Sequence, residues 1–251
     1  MTEASARLVS FIIPTFEEDY LSSSLDVLVD HLLDSTTDRF EVLLVDDSSA
    51  RYKAAIRDYV ETRRASHGDR LIVRAIDGRK RGKGDAVRLG ALASEGAVVF
   101  TMDADLPVPL ACIDTFLTLI DSERFDVVIG ERPLTRNLIH PVRYVLSRFL
   151  FVAQRRFVFG GIRFHDTQCG FKAFRGGLLR DLAKVQIVSG GMYDVEYLYA
   201  ATRRGAAIAR VPVVPNAEWR PSKIRVFRAT LTDPVDLVRV KLRGLGGRYD
   251  R

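Results

Sequence analysis

Val98-Val99-Phe100-Thr101-Met102-Asp103-Ala104-Asp105 is the stretch on which the fold turns. Val98 to Met102 are apolar or β-branched, the composition of a buried strand. The strand then runs straight into two carboxylates one residue apart. In an extended chain, residues two apart point to the same side. Asp103 and Asp105 are therefore expected to face one space where the strand leaves its sheet. Like charges that close repel, so a cation is expected beside them. Oxygen-only ligands suit Mg²⁺ or Mn²⁺, with a diphosphate completing the shell. The plainer alternative is a loop whose acids cap the next helix.

Similar runs lie on both sides of this one. Leu8 to Ile13 reads as a first strand stopped by Pro14, and Leu21 to Leu33 has helical periodicity. Phe40 to Val45 is a second strand ending in Asp46-Asp47-Ser48, with a helix through Tyr59. Leu71 to Ile76 is a third, followed by the basic loop Gly78–Gly84 and a helix from about Asp85 to Ser94. Phe125 to Gly130 reads as a fifth strand. Strand and helix alternating at short spacing give an α/β fold, a mostly parallel sheet covered on both faces. Such sheets bind ligands at the C-terminal ends of their strands. The first four strands each run into a polar cluster: Glu17, Asp46-Asp47, the Lys83 loop and Asp103-Asp105. One crevice can use all four.

No G-x-G-x-x-G follows the first strand, which argues against a dinucleotide-dependent oxidoreductase. The loop Arg79-Lys80-Arg81-Gly82-Lys83-Gly84 lacks Walker A spacing. It still has the parts of a phosphate cradle, a helix N-terminus and a mobile lysine.

The 251 residues suit one large domain or one and a half, with a composition shift near Gly130 that separates a nucleotide-type half, about 1–130, from an acceptor-type half, about 131–251. A formal charge of +6 favours anionic partners. The two cysteines, Cys112 and Cys169, make no disulfide framework and fit a reducing compartment. No apolar run is long enough to span a bilayer. The chain therefore reads as cytoplasmic, or peripheral on the cytoplasmic face of a membrane. Leu138 to Phe157 reads as an apolar, arginine-rich helix suited to a core or a membrane interface. Thr230 to Arg243 reads as a basic amphipathic helix.

The order Pro14…Glu17, Val45-Asp46-Asp47-Ser48, Gly82-Lys83-Gly84, Asp103-Ala104-Asp105, Asp166-Thr167-Gln168-Cys169-Gly170-Phe171-Lys172, Asp194-Val195-Glu196 and Ser222-Lys223 resembles the inverting family 2 glycosyltransferases of GT-A fold. The branch it resembles most is the dolichyl-phosphate glucosyltransferase and mannosyltransferase type. The resemblance implies that Pro14, Thr15, Glu17, Asp46 and Asp47 line the nucleoside pocket and that Lys83 meets the donor's nucleotide end. It implies that Asp103, Ala104 and Asp105 carry the metal and diphosphate, with Mg²⁺ or Mn²⁺ on the two acids. Arg132, Arg143, Ser147 and Lys223 are implied as acceptor and phosphate contacts.

The implied reaction moves a hexose from a UDP- or GDP-sugar to an acceptor, with inversion. A polyprenyl phosphate is already an anion and needs no strong base; positioning supplies much of the rate. An alcohol or amine would need a carboxylate to take a proton. Asp166 and Asp194 are the candidates, and Asp105 acts at the reacting centre through the metal. The chain departs from the pattern at Thr15-Phe16, at Asp85 beside Lys83, and at Pro107, which has no ligand atom to offer. Three other readings are a soluble acceptor, a sugar-1-phosphate nucleotidyltransferase, and a non-enzymatic binder of nucleic acid or membrane. No nucleic-acid partner is expected.

Overall fold

The computed structural model describes residues 6–35, 38–64, 68–133, 154–160, 164–216 and 226–250. Its centre is a seven-stranded sheet. In chain order the strands are β1 (Leu8–Thr15), β2 (Arg39–Asp46), β3 (Leu71–Asp77), β4 (Val98–Thr101), β5 (Val127–Glu131), β6 (Lys172–Arg175) and β7 (Ile208–Pro212). They lie in the order β3-β2-β1-β4-β6-β5-β7. All neighbours are parallel except β6, which is antiparallel to both β4 and β5.

The described helices are α1 (Leu21–Ser35), α2 (Ala50–Arg64), α3 (Lys83–Ala93), α4 (Cys112–Asp121), α5 (Gly176–Val185), α6 (Tyr193–Arg203) and α7 (Val226–Leu245). Gln154–Val158 forms a single π turn. The rest of the expected 138–157 helix lies outside the described residues.

The continuous apolar runs become strands buried on both faces, and the alternation of side chains divides two cores. Phe11, Ile13, Val42, Leu44 and Phe100 face one way, under α1 and α4. Ile12, Leu43, Val45 and Val99 face the other, under α3, α5 and α6. Phe11 stacks on Phe100 with centroids 4.8 Å apart, and Phe171 meets Phe116 at 4.7 Å. Aromatic contacts at these separations add to simple area burial.

Three expectations need correction. First, β1 does not stop at Pro14 but pairs through it, Pro14 with Val45 and Thr15 with Asp46. Ile12 accepts from Met102 at 3.1 Å, and β4 ends one residue earlier at Thr101. Pro14 turns the same edge outward just past the end of that neighbour, so its missing N–H costs the ladder nothing. Second, α3 begins at Lys83 rather than near Asp85, which places the lysine in the first turn. Third, the strand β6 and the helix α5 have no counterpart in the sequence reading. The short run Lys172-Ala173-Phe174-Arg175 carries a lysine where a buried strand is expected to be apolar, which hides its period.

Candidate active site

The reversal of β6 assembles the site. Because β6 runs against β4, its first residue, Lys172, pairs with the last residue of β4, Thr101. The Asp166–Lys172 run is thereby delivered beside Asp103 and Asp105. The two acids do not belong to the strand: β4 ends at Thr101, so strand alternation does not orient them. They lie in a turn in which the N–H of Leu106 donates to the carbonyl of Asp103 at 3.2 Å. Leu106 takes the left-handed φ of 46°. Asn216 pins the far side, donating through its side chain to the carbonyl of Leu106 at 2.7 Å and through its backbone to that of Pro107 at 2.9 Å.

Charges alternate around this turn. The Lys83 ammonium ion-pairs with Asp103, each side chain about one-third exposed. Burial by itself would raise the Asp103 carboxyl, but Lys83, Lys172 and Arg132 outweigh it and hold it below the usual range. Asp105 moves the opposite way, pushed up by burial and then by the charge on Asp103. The cations beside Asp103 and the like charge felt by Asp105 thus drive the two acids apart. Gly170 makes the close approach possible. A Cβ there would lie 2.3 Å from Oδ2 of Asp103, so any larger residue would collide with the carboxylate.

Behind Asp103 lies a buried pair. Lys172 Nζ donates to Asp194 Oδ1 at 2.5 Å and to the Cys169 carbonyl, and both charged side chains are almost wholly buried. Burial pushes the Asp194 carboxyl up, and Lys172 and Lys83 push back. Asp194 sits in the first turn of α6, where the helix dipole adds to its support. Lys172 is the residue of the site to which the sequence reading assigned no role. Its signal was a lone lysine between Phe171 and Phe174.

Asp166 is held by Arg132 as a two-pronged ion pair, Nε to Oδ2 at 2.6 Å and Nη2 to Oδ1 at 3.2 Å. The N–H of Gln168 adds a third donor at 3.0 Å. Burial opposes the charge on Arg132, but Asp166 more than restores it and raises its pKa. Arg143, Ser147 and Lys223 lie outside the described residues.

The nucleoside-side residues gather at the ends of β1 and β2. Thr15 Oγ1 and the N–H of Ser48 both donate to Asp46 Oδ1, at 2.9 and 3.1 Å. Oδ2 of the same carboxylate is buried with no hydrogen-bond partner among the described residues. The Ser48 hydroxyl accepts the N–H of Glu17 at 2.7 Å, and Asp47 Oδ1 accepts the N–H of Lys80, also at 2.7 Å. The structure thus brings Pro14, Thr15, Glu17, Asp46, Asp47, Lys83, Asp103, Ala104, Asp105, Arg132, Asp166 and Asp194 to one end of the sheet.

Residues 10–183 match the model of glycosyl transferase family 2. The chain belongs to that family. A dolichyl-phosphate beta-glucosyltransferase of Dictyostelium discoideum is 28% identical over 95% of this chain and 75% of its own length. A dolichyl-phosphate hexose transferase of Haloferax volcanii is 29% identical over 96% of this chain and 97% of its own. Among solved structures, glucosyl-3-phosphoglycerate synthase of Mycobacterium tuberculosis in complex with UDP superposes with a TM-score of 0.63 at 20% identity. That match covers 93% of this chain and 80% of the other. The same synthase with Mn²⁺, UDP-glucose and glycerol 3-phosphate gives 0.58 at 18% identity, over 96% and 80%. These likenesses agree with the GT-A sheet described above. As a family 2 glycosyltransferase the chain is an enzyme.

The buried pair allows a direct test. Lys172→Met removes the partner of Asp194 and strands its charge, an effect of about 3–5 kcal/mol. Urea melts are expected to show that loss in the single variant and to show most of it recovered in Lys172→Met/Asp194→Leu. Equal stability of Lys172→Met and the parent would contradict the pairing.

Proposed function

We propose that this family 2 enzyme transfers a hexose, with inversion, from a nucleoside-diphosphate sugar to a polyprenyl phosphate. One observation carries the reading: an acid pair, one member held by a lysine from a helix N-terminus, at the ends of β1, β4 and α3. Over a single domain, residues before about 130 serve the donor and later ones the acceptor.

Pro14, Thr15, Glu17, Asp46 and Asp47 shape the nucleoside pocket. The Asp46 carboxylate is fixed at this pocket by Thr15 and Ser48, and its buried Oδ2 has no hydrogen-bond partner among the described residues. Lys83 meets the diphosphate. Asp103 and Asp105 hold a divalent ion, Mg²⁺ or Mn²⁺, flanking Ala104. The donor set fits such an ion: two hard carboxylates in one turn at the end of β4. Among the described residues no group of three or more metal-binding side chains comes together, so the two acids would leave positions for diphosphate and water. The ion supplies Lewis-acid neutralisation of charge on the departing nucleoside diphosphate.

The acceptor class follows from the two remaining acids. Asp166 is occupied by Arg132 and Asp194 by Lys172. Arg132 spans both oxygens of Asp166, so that acid could take a proton only in competition with its ion pair, and Asp194 is buried against Lys172. A phosphate acceptor is already deprotonated and asks for cations and hydrogen-bond donors instead; Arg143, Lys223 and the Ser147 hydroxyl are assigned to it, with Arg132 shared between Asp166 and the phosphate. The names of the Dictyostelium and Haloferax relatives support the same class. A lipid acceptor also asks for a membrane-facing surface. No described helix is long and apolar enough to cross a bilayer. α7, however, carries an outward stripe of Val235, Val238, Leu242 and Leu245, 45–66% exposed, opposite its buried Leu237 and Val240. Arg239 and Arg248 lie exposed on the same stretch. An apolar stripe flanked by arginine suits an anionic lipid surface.

Asp103→Asn is expected to lower kcat/KM at least about 100-fold while the protein stays folded. Transfer from UDP-glucose or GDP-mannose to a short-chain polyprenyl phosphate, with phosphoglycerate as the soluble alternative, measures it. Near-normal turnover would remove the metal assignment, and turnover with phosphoglycerate alone would move the acceptor to the soluble class. Leu242→Asp/Leu245→Asp is expected to abolish co-sedimentation with phosphatidylserine-containing vesicles and to leave a soluble protein. Unchanged sedimentation would free α7 of this role.

A further inference from the structure

Glu196 lies on α6, fully buried. Its carboxylate is held by three donors. Ile187 N–H reaches it at 2.9 Å and Val188 N–H at 2.8 Å, and the hydroxyl of Tyr249 donates to Oε1 at 2.6 Å. Tyr249 comes from the segment that folds back after α7, and it is itself fully buried. Its ring stands edge-on to Tyr199 at 6.0 Å, with the Arg243 guanidinium 5.8 Å from its centroid. The backbone around it is clasped as well. Arg204 Nε donates to the Tyr249 carbonyl at 2.9 Å, and Arg203 grips Asp250 with two bonds of 2.8 and 2.6 Å.

The other side of Glu196 leads to the donor end of the site. The segment that its carboxylate holds, residues 186–190, packs on the first turn of α3. Ser189 O accepts the N–H of Asp85 at 3.2 Å. Gln186 Nε2 donates to the Gly84 carbonyl at 2.8 Å, while Tyr197 Oη holds the oxygen of the same amide at 2.6 Å. The fit leaves no slack. Gly82 has φ 120°, and a Cβ on it would lie 2.7 Å from the Ser189 carbonyl oxygen. Between Gly82 and Gly84 stands Lys83, whose ammonium reaches Asp103.

We propose that Tyr249 is a positioning residue for donor binding: through Glu196 it fixes segment 186–190, and with it the turn that carries Lys83. The proposal rests on the reading of Lys83 as a diphosphate ligand. A carboxylate that loses one of three donors holds its two amides less firmly. Lys83 then has to be ordered by the nucleotide, and affinity falls because the site is no longer set beforehand. A contact made equally before and during the reaction changes KM and leaves kcat alone.

The test is titration calorimetry of the full chain with UDP and GDP plus Mn²⁺, alongside donor kinetics, well below every melting temperature. Tyr249→Phe keeps the ring and removes the hydroxyl. Glu196→Gln keeps the shape and removes the charge, and serves if the first variant is poorly folded. Each is expected to weaken nucleoside-diphosphate binding 3–10-fold and raise donor KM to match, with kcat within twofold. Tyr249→Phe should add little in the Glu196→Gln background. Glu41→Gln is the control for plain stability loss. It breaks a buried network with Ser10 and Arg74 near the opposite end of β2, and should lower the melting temperature without changing nucleotide affinity. If Tyr249→Phe and Glu196→Gln lower the melting temperature but leave the affinity within twofold of the parent, while Lys83→Ala weakens it, Tyr249 is structural only and the proposal fails. If Lys83→Ala also binds as the parent does, the donor reading fails and takes the proposal with it.

Discussion

Lys83 and Asp103 meet where the first turn of α3 comes up against the end of β4, and the rest of the site is arranged around that ion pair. A carboxylate withdrawn from water over about two-thirds of its side chain gains from cations standing close. Lys83 faces it directly, and Lys172 and Arg132 add their fields from the side. Each of these cations is in turn near a second acid. Lys172 is paired with Asp194, Arg132 with Asp166, and Lys83 feels Asp105, two residues beyond Asp103. The result is a chain of alternating charges in which altering one member shifts its neighbours, so their energies will not add as independent terms.

Topology makes this arrangement possible. A wholly parallel sheet would carry the start of the strand beside β4 to the far end of the molecule. The reversed β6 brings Lys172 level with Thr101, and Gly170 leaves room for the Asp103 carboxylate. Two motifs separated by more than sixty residues of sequence thereby become one wall. The aromatic contacts of Phe171 with Phe100 and Phe116 fix that wall to the core.

Much of this could be read from the residues. The runs Phe11-Ile12-Ile13, Val42 to Val45 and Val98 to Phe100 are apolar enough to declare buried strands, and the polar clusters after them mark the ligand-binding edge. Register and direction were less legible. β6 is short and holds a charged residue whose partner, Asp194, lies on a helix 22 positions away, so no local period announces it. Pro14 reads as a terminator because its cost depends on where a neighbouring strand ends, which is tertiary information. Asp103 and Asp105 were expected to share a direction through strand alternation. They share a space instead because of a turn, which only the position of Leu106 reveals. The occupation of Asp166 by Arg132, across 34 residues, was likewise out of reach of spacing.

The account stands most directly on what Lys83 does when donor arrives. A crystal structure of the enzyme with a nucleoside diphosphate and Mn²⁺ is the decisive measurement. The proposed reading requires the Lys83 ammonium to leave Asp103 for the diphosphate, the ion to lie on Asp103 and Asp105, and the nucleoside to lie at the ends of β1 and β2 beside Asp46 and Asp47. A diphosphate bound elsewhere, with Lys83 still on Asp103, would contradict it.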